Sequence, residues 1–360
     1  MTNLVRLVLC LFLASMAEGA AVDKQIGQML LVGFRGLTVD TSSPIAKDLK
    51  AGRIGGVLFF DYDIETKKDR RNIQSPDQVK TLVRSIRALT KDKLFISIDQ
   101  EGGKVNRLKE KYGFPPSLTA RQLAALPEAQ MRKEVKVLAE NLASLGFNLN
   151  FAPSADLDVN ATNPIIGKFE RSFSEDPETV VDKAAIFIEA HRAAKVLTVL
   201  KHFPGHGSST ADSHLGLVDV SSTWTEKELD PFYGLIKAGL ADAVMTAHVF
   251  NSHLDSKHPA TLSPSVIPQK LRKDGGFDGV VFSDDMQMGA ILKHYGLETA
   301  IELALGADVD VLCFGNNLVY DEQIAEKAHG IISKLVSSGK IPASRIQRSA
   351  DRIAKLKSRL

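Results

Sequence analysis

Cysteine is scarce in this chain of 360 residues, with Cys10 and Cys313 the only two. Two cysteines cannot build a disulfide framework, so stability has to come from a packed core. A surplus of one charge is missing as well. Lys and Arg number 45 and Asp and Glu 43, a formal net charge of +2. Nucleic-acid binders concentrate a basic excess, so nucleic acid is not an expected partner. Beyond residue 22 there is no Pro/Ser-rich linker and no low-complexity tract. No apolar run there approaches the roughly 20 residues a membrane-crossing helix needs. What is present is ordinary for a globular protein: 44% hydrophobic and 24% charged residues. Wholesale disorder is thereby excluded.

The first residues read differently. A short basic start ending at Arg6 leads into an apolar run over 7–13, then into small residues including Ala14, Ser15, Ala17 and Gly19. That order matches a secretory signal peptide over 1–21, with cleavage sites after Ala17, Gly19 or Ala21. Glu18 and Asp23 interrupt the run too early for a membrane anchor. The expectation is an exported protein, periplasmic or extracellular, with no stable membrane span after processing. Cys10 follows Leu9 rather than a small residue, which argues against a lipoprotein cysteine. Cys313 sits in an apolar run and is expected to be buried and inert.

Eight short apolar runs recur through the rest of the chain, over 29–34, 56–60, 94–98, 147–152, 196–200, 243–247, 279–282 and 309–314. Helical spacing and caps lie between them. Ser75-Pro76-Asp77 opens one helix and Asp176-Pro177-Glu178 another, each with a capping side chain before a first-turn proline. A third helix is expected over 223–240. Alternating apolar strands and helices predict a parallel sheet wrapped by helices, and eight such units predict a single (β/α)8 TIM-type barrel. An open doubly wound sheet is the competitor, but no G-x-G-x-x-G follows the first run. Polar residues follow the strands: Asp99, Lys201 and His202, His248, and Ser283-Asp284-Asp285. In a barrel these ends converge on one rim, where such folds keep their active sites. The last stretch, 344–360, reads as a helix with six basic residues on a solvated face.

Three clusters could carry chemistry. The densest runs from Lys201-His202-Phe203-Pro204-Gly205-His206 to Asp212-Ser213-His214. In an extended segment Asp212 and His214 project to one side, so the carboxylate can fix the imidazole tautomer and raise its pKa. A zinc set of His202, His206, His214 and Asp212 competes, although Pro204 and Gly205 rule out a helix between the first two histidines. The second cluster is Ser283-Asp284-Asp285. One aspartate there could attack an anomeric carbon, and Asp285 is placed to cap the next helix. The third is Asp99-Gln100-Glu101-Gly102-Gly103, with Arg107 beyond it, where Asp99 and Arg107 could hold substrate hydroxyls or simply pair.

Taken together, KHFPGHG followed by Asp212-Ser213-His214, the DQEGG segment at 99–103 and FSDD at 282–285 resemble the β-N-acetylglucosaminidases of glycoside hydrolase family 3. The resemblance runs in order from about Asp23 to the C-terminus, and its nearest branch is that of peptidoglycan-recycling β-hexosaminidases. It implies a single barrel and a retaining two-step mechanism, with Asp284 as nucleophile and His214 paired to Asp212 as acid/base. It assigns sugar contacts to Asp99, Arg107, Lys201 and His202, and to Arg171 within Arg171-Ser172-Phe173. Arg and Lys side chains are expected to help keep Asp284 ionised. The implied activity is release of terminal N-acetylglucosamine from peptidoglycan fragments or chitooligosaccharides, by a monomer that needs no metal or cofactor. A different sugar preference, a phosphorylase or a non-catalytic sugar-binding barrel are the alternatives. The charged segment 61–72 is expected to rim the site.

Overall fold

A computed structural model describes residues 19–360. Most of the signal-peptide reading therefore lies outside the described residues. Eight parallel strands close into a barrel: β1 (Leu30–Gly33), β2 (Gly56–Phe59), β3 (Phe95–Ile98), β4 (Leu149–Asn150), β5 (Leu197–Phe203), β6 (Ala243–Thr246), β7 (Val280–Asp285) and β8 (Val311–Phe314). Closure is direct. Leu30 pairs with Leu312 of β8, while Leu31 pairs with Gly56 of β2. Each expected run overlaps one strand, and the open-sheet alternative falls. The near-continuous apolar character follows from burial on both faces, against the barrel interior and the helices outside.

The interior is filled. Phe282 of β7 meets Phe95 of β3 and Phe151 beyond β4 edge to face, at centroid distances of 5.7 and 5.6 Å. These strands are not neighbours, so the rings meet across the barrel. Edge-to-face pairing matches the positive ring edge to the negative ring face.

Two strands depart from the expected bounds. The fifth continues through Lys201 and His202 to Phe203, so these residues belong to the strand instead of following it. The seventh likewise reaches Asp285. The caps behave as read: Ser75 Oγ accepts from Gln78 N–H and Asp176 from Thr179 N–H. The expected helix over 223–240 is instead a 3-10 turn, Glu226–Leu229, followed by a helix at Asp230–Lys237. Pro231 is the physical reason, since it cannot supply the N–H a continuous helix would need there.

The basic C-terminal stretch, helical over Ala343–Lys357, meets its expectation only in part: Arg348, Lys355 and Arg359 are exposed, but the other basic residues are not. Arg345 and Lys357 are buried. Lys357 Nζ donates to Gln28 Oε1 and the Gly55 carbonyl, both 2.7 Å, and sits 4.5 Å from the Phe95 ring centroid. The helix therefore closes the end of the barrel where the strands begin. Spacing of basic residues alone cannot distinguish a solvated face from one with buried acceptors waiting for it.

Candidate active site

At the opposite end, a cavity of about 520 Å³ opens among the strand ends. Asp99, Arg107, Arg171, Lys201, His202, Asp212, His214 and Asp284 all line it. The sequence separates these residues by up to 185 positions, and the barrel gathers them because parallel strands end together. Residues of the charged 61–72 segment line the mouth, including Tyr62 and Ile64. That segment folds back as a small hairpin, Tyr62–Asp63 against Lys68–Asp69. Asn317 ties it to the loop after β8, donating to the Tyr62 carbonyl at 3.0 Å.

The floor is an ion network. Arg171 makes a two-pronged contact with Glu101, 2.7 Å on each side. Lys201 Nζ lies 2.8 Å from Asp99 and 2.7 Å from Glu101, and Arg107 lies 3.5 Å from Asp99. Burial pushes the Glu101 carboxyl up, but Arg171 and Lys201 bring it down to about 2. Burial likewise opposes the Asp99 charge, and Lys201 and Arg107 hold its pKa below the usual carboxylate range. Burial works against the Lys201 charge too, and Asp99 and Glu101 raise its pKa despite this. Buried ions of this kind persist only when each is paired. Asp99 and Arg107 thus pair with each other and remain at the cavity wall.

His202 is held from both sides. Asp156, fully buried, lies 2.7 Å from its Nδ1, and Arg171 Nη2 lies 3.2 Å from its Nε2. The carboxylate accepts and the guanidinium donates, so the ring carries its proton on Nδ1 and accepts at Nε2. His206 is buried next to it and bonded to Ser209 Oγ at 2.6 Å and Ser213 Oγ at 3.2 Å. These two rings are therefore committed to protein partners, which breaks up the zinc set. Among the described residues no group of three or more His, Cys, Asp or Glu side chains is arranged to hold a metal ion.

Asp212 and His214 do come together, though not through an extended segment. Asp212 Oδ1 accepts from His214 N–H at 2.9 Å and lies 2.7 Å from His214 Nδ1. A turn, not a strand, makes the pair. Burial would lower the His214 pKa, but the Asp212 hydrogen bond and the nearby Asp284 carboxylate raise it above the ordinary 6.5. With Nδ1 bound to Asp212, Nε2 is the nitrogen left to exchange a proton.

Asp284 ends β7. Among the described residues its carboxylate accepts one hydrogen bond, from Asp285 N–H at 2.7 Å. Burial pushes its pKa up, but His248, His202 and His214 favour the charged form and bring it below the ordinary value. This corrects the expectation that Arg and Lys would do so, because those cations are already engaged by Asp99 and Glu101. Asp285 does not cap the following helix: Met288 holds that position without a side-chain bond. Instead Asp285 Oδ1 accepts from Gln287 N–H and Gly315 N–H, at 3.0 and 2.9 Å, tying β7 to β8. A Cβ on Gly315 would stand 2.5 Å from Asp285 Oδ2, so only glycine permits this approach. Cys313 is buried, and burial raises its thiol pKa well above the ordinary value, consistent with an inert role.

Three residues of the site receive no role from the sequence: Glu101, Asp156 and His248. Glu101 lies inside the DQEGG segment, which by itself gives it no role. Asp156 follows the fourth apolar run by four positions, so the strand-end rule that found Asp99 would have reached it. His248 was noted at a strand end only. Its Nε2 lies 3.0 Å from the Asp285 carbonyl and its Nδ1 2.8 Å from Thr261 Oγ1.

Comparison with known proteins accords with this geometry. Residues 21–356 match the family model described as "Glycosyl hydrolase family 3 N terminal domain". A beta-hexosaminidase of Tolumonas auensis is 34% identical over 292 residues, covering 80% of this chain and 83% of that protein. One from Pseudomonas aeruginosa strain PAO1 is 35% identical over 305 residues, covering 83% and 84%. A family 3 β-N-acetylglucosaminidase from Paenibacillus sp. superposes with a TM-score of 0.83 at 34% identity, over 94% of this chain and 62% of that one. A β-N-acetylhexosaminidase from Beutenbergia cavernae gives 0.83 at 28% identity, over 94% and 98%. The barrel, the family match over nearly its whole length and these relatives lead to one conclusion: the chain belongs to glycoside hydrolase family 3 and is a glycoside hydrolase.

Proposed function

We propose that the protein is a retaining exo-β-N-acetylglucosaminidase in which Asp284 is the nucleophile and His214, oriented by Asp212, is the acid/base. One observation carries this reading: an ionised carboxylate at the end of β7 and an Asp–His pair line the same cavity. In the first step an Asp284 oxygen bonds to the anomeric carbon as the bond to the aglycone oxygen breaks, and His214 Nε2 gives its proton to that oxygen. In the second step water attacks the same carbon, His214 takes the water proton, and Asp284 leaves as a carboxylate. An imidazole in this role avoids a second anion beside Asp284, which would push one carboxyl pKa up. Asp99, Arg107, Arg171, Lys201 and His202 are assigned to hold the sugar. The relatives named beta-hexosaminidase support the acetamido sugar.

Peptidoglycan fragments and chitooligosaccharides are the proposed natural substrates. Export, on the strength of the leader-like residues at the start of the chain, is part of the same proposal. Cell fractionation checks the location: recovery wholly in the cytoplasm with residues 1–21 still attached would sink it. The activity test compares aryl β-N-acetylglucosaminide with aryl β-glucoside, in wild type and Asp284→Asn. Preference for the acetamido sugar, abolished in the variant, is expected. Turnover of the glucoside alone would refute the sugar assignment.

A further inference from the structure

The acid/base pair stands on a loop that the protein core barely touches. His214 is about half exposed, and Leu215, next in the chain, is 75% exposed. Apolar packing cannot hold such a segment, so its placement depends on hydrogen bonds. Among the described residues, two reach from 212–214 to the surrounding structure. Gly289 N–H donates to the His214 carbonyl at 3.3 Å. The other is the 3.2 Å contact of Ser213 Oγ with His206 Nε2. Ser213 is the residue between the two members of the pair, and it is almost fully buried.

The anchor at the far end is itself held by several contacts. His206 N–H donates to Asp156 at 2.8 Å, the same carboxylate that holds His202. Its ring lies edge-on to the His202 ring, centroids 5.8 Å apart. Its Nδ1 is occupied by Ser209 Oγ. The next residues are fastened as well, since Gly207 and Ser208 N–H groups donate to buried Glu228 at 3.0 and 3.3 Å. Burial keeps the His206 imidazole uncharged near neutral pH, with its pKa down at about 4. A neutral imidazole has one N–H and one lone pair, so one serine must donate and the other accept. The contact is thus directional as well as short.

We infer that Ser213 and His206 are positioning residues that set the Asp212–His214 pair against the floor of the site. The floor and the loop then share one reference point, because Asp156 holds the sugar-facing His202 and the backbone of His206 together. Ser213 touches no reacting atom. Its effect passes through the distance and angle of His214 Nε2 to the leaving oxygen, a geometry in which errors of about 1 Å cost about 10²-fold.

The inference rests on the proposed acid/base role of His214, and its test separates the two. Kinetics are measured on N-acetylglucosaminides of phenol, a poor leaving group, and of 2,4-dinitrophenol, which departs without protonation. Ser213→Ala is expected to lower kcat/KM on the phenyl substrate about tenfold to 10²-fold and to leave kcat/KM on the dinitrophenyl substrate nearly unchanged. On the activated substrate, kcat should fall because the second step needs the base, and added azide should restore it. Ser213→Thr keeps the hydroxyl and should recover most activity. Ser213→Val has the same shape without it and should not, which excludes a packing effect. Equal losses on both substrates, or equal behaviour of Thr and Val, would overturn the inference and leave the proposed function standing. No turnover of either sugar by wild type would overturn both.

Discussion

Both ends of the barrel bury charge, and they use it in opposite ways. At the end where the strands begin, acids and bases close on each other. Asp310 is bonded by Arg272 at 2.7 Å and Arg352 at 3.2 Å, and it also accepts from Val281 N–H at 3.0 Å. Asp308 takes Arg272 and Arg352 at 2.9 and 3.0 Å. Arg345 spends its remaining donors on the Leu305 and Val309 carbonyls. At the end where the strands finish, the charges satisfy one another only in part. Asp284 accepts a single hydrogen bond, and Arg107 Nε is buried without a partner among the described residues. A saturated network stabilises, whereas one with unspent capacity waits for a ligand. The physics is shared, and the difference lies in what the last partner is.

Changes at the two ends should therefore separate activity from stability. The largest effect is expected from Asp284→Asn: kcat for the aryl N-acetylglucosaminide should fall on the order of 10⁴-fold, with the thermal midpoint unchanged or raised. Next comes Asp310→Ala at the closed end, which leaves Arg272 and Arg352 with Asp308 as their one shared carboxylate. Denaturant unfolding should show a loss of about 3–5 kcal/mol with KM unaltered in the protein that remains folded. Glu101→Gln sharpens the comparison, since it leaves Arg171 and Lys201 short of a partner at the open end. It should cost stability and sugar affinity together; a stability loss with normal KM would place Glu101 with the closed end.

The proposed acid/base pair gives a smaller, pH-dependent effect. In the proposed mechanism His214 is protonated for the first step, so kcat/KM should fall as pH rises through its elevated pKa. Asp212→Asn keeps an acceptor but removes the negative charge that makes this contact raise the His214 pKa. The alkaline limb should then move to lower pH, with a loss of about 10²-fold at neutral pH. An unmoved limb would mean that another group titrates there.

Lys357 supplies the mildest test. Burial depresses its pKa to about 7 from the ordinary 10.5. Between these values the unfolded chain binds more protons than the folded one, so stability should rise with pH across that window. Lys357→Met, which retains an apolar stem, should flatten this slope in urea titrations and leave kcat untouched.

Much was legible in the chain. Eight apolar runs gave the strand count, because a strand buried on both faces has to be apolar throughout. Asp99, Lys201, His202 and Asp284 could be found because polar residues at the ends of such runs contradict their surroundings. Asp156 obeys the same rule but stands past a proline, in a segment without regular structure, and was passed over. The cap expected at Asp285 and the solvent exposure expected of Arg345 and Lys357 fail for one cause. Local spacing states what a residue can do for its neighbours and is silent about acceptors hundreds of positions away.

Periodicity, caps and motif order are local properties of the chain, and they were enough for the barrel, the family and the residues proposed to do the chemistry. Which charges neutralise each other and which stay available follows from the folded arrangement alone. Lys201 beside both Asp99 and Glu101, Asp156 beneath His202 and Ser213 on His206 all depend on distances across closed strands. Electrostatics and hydrogen bonding act over a few ångströms of space, whatever the separation along the chain.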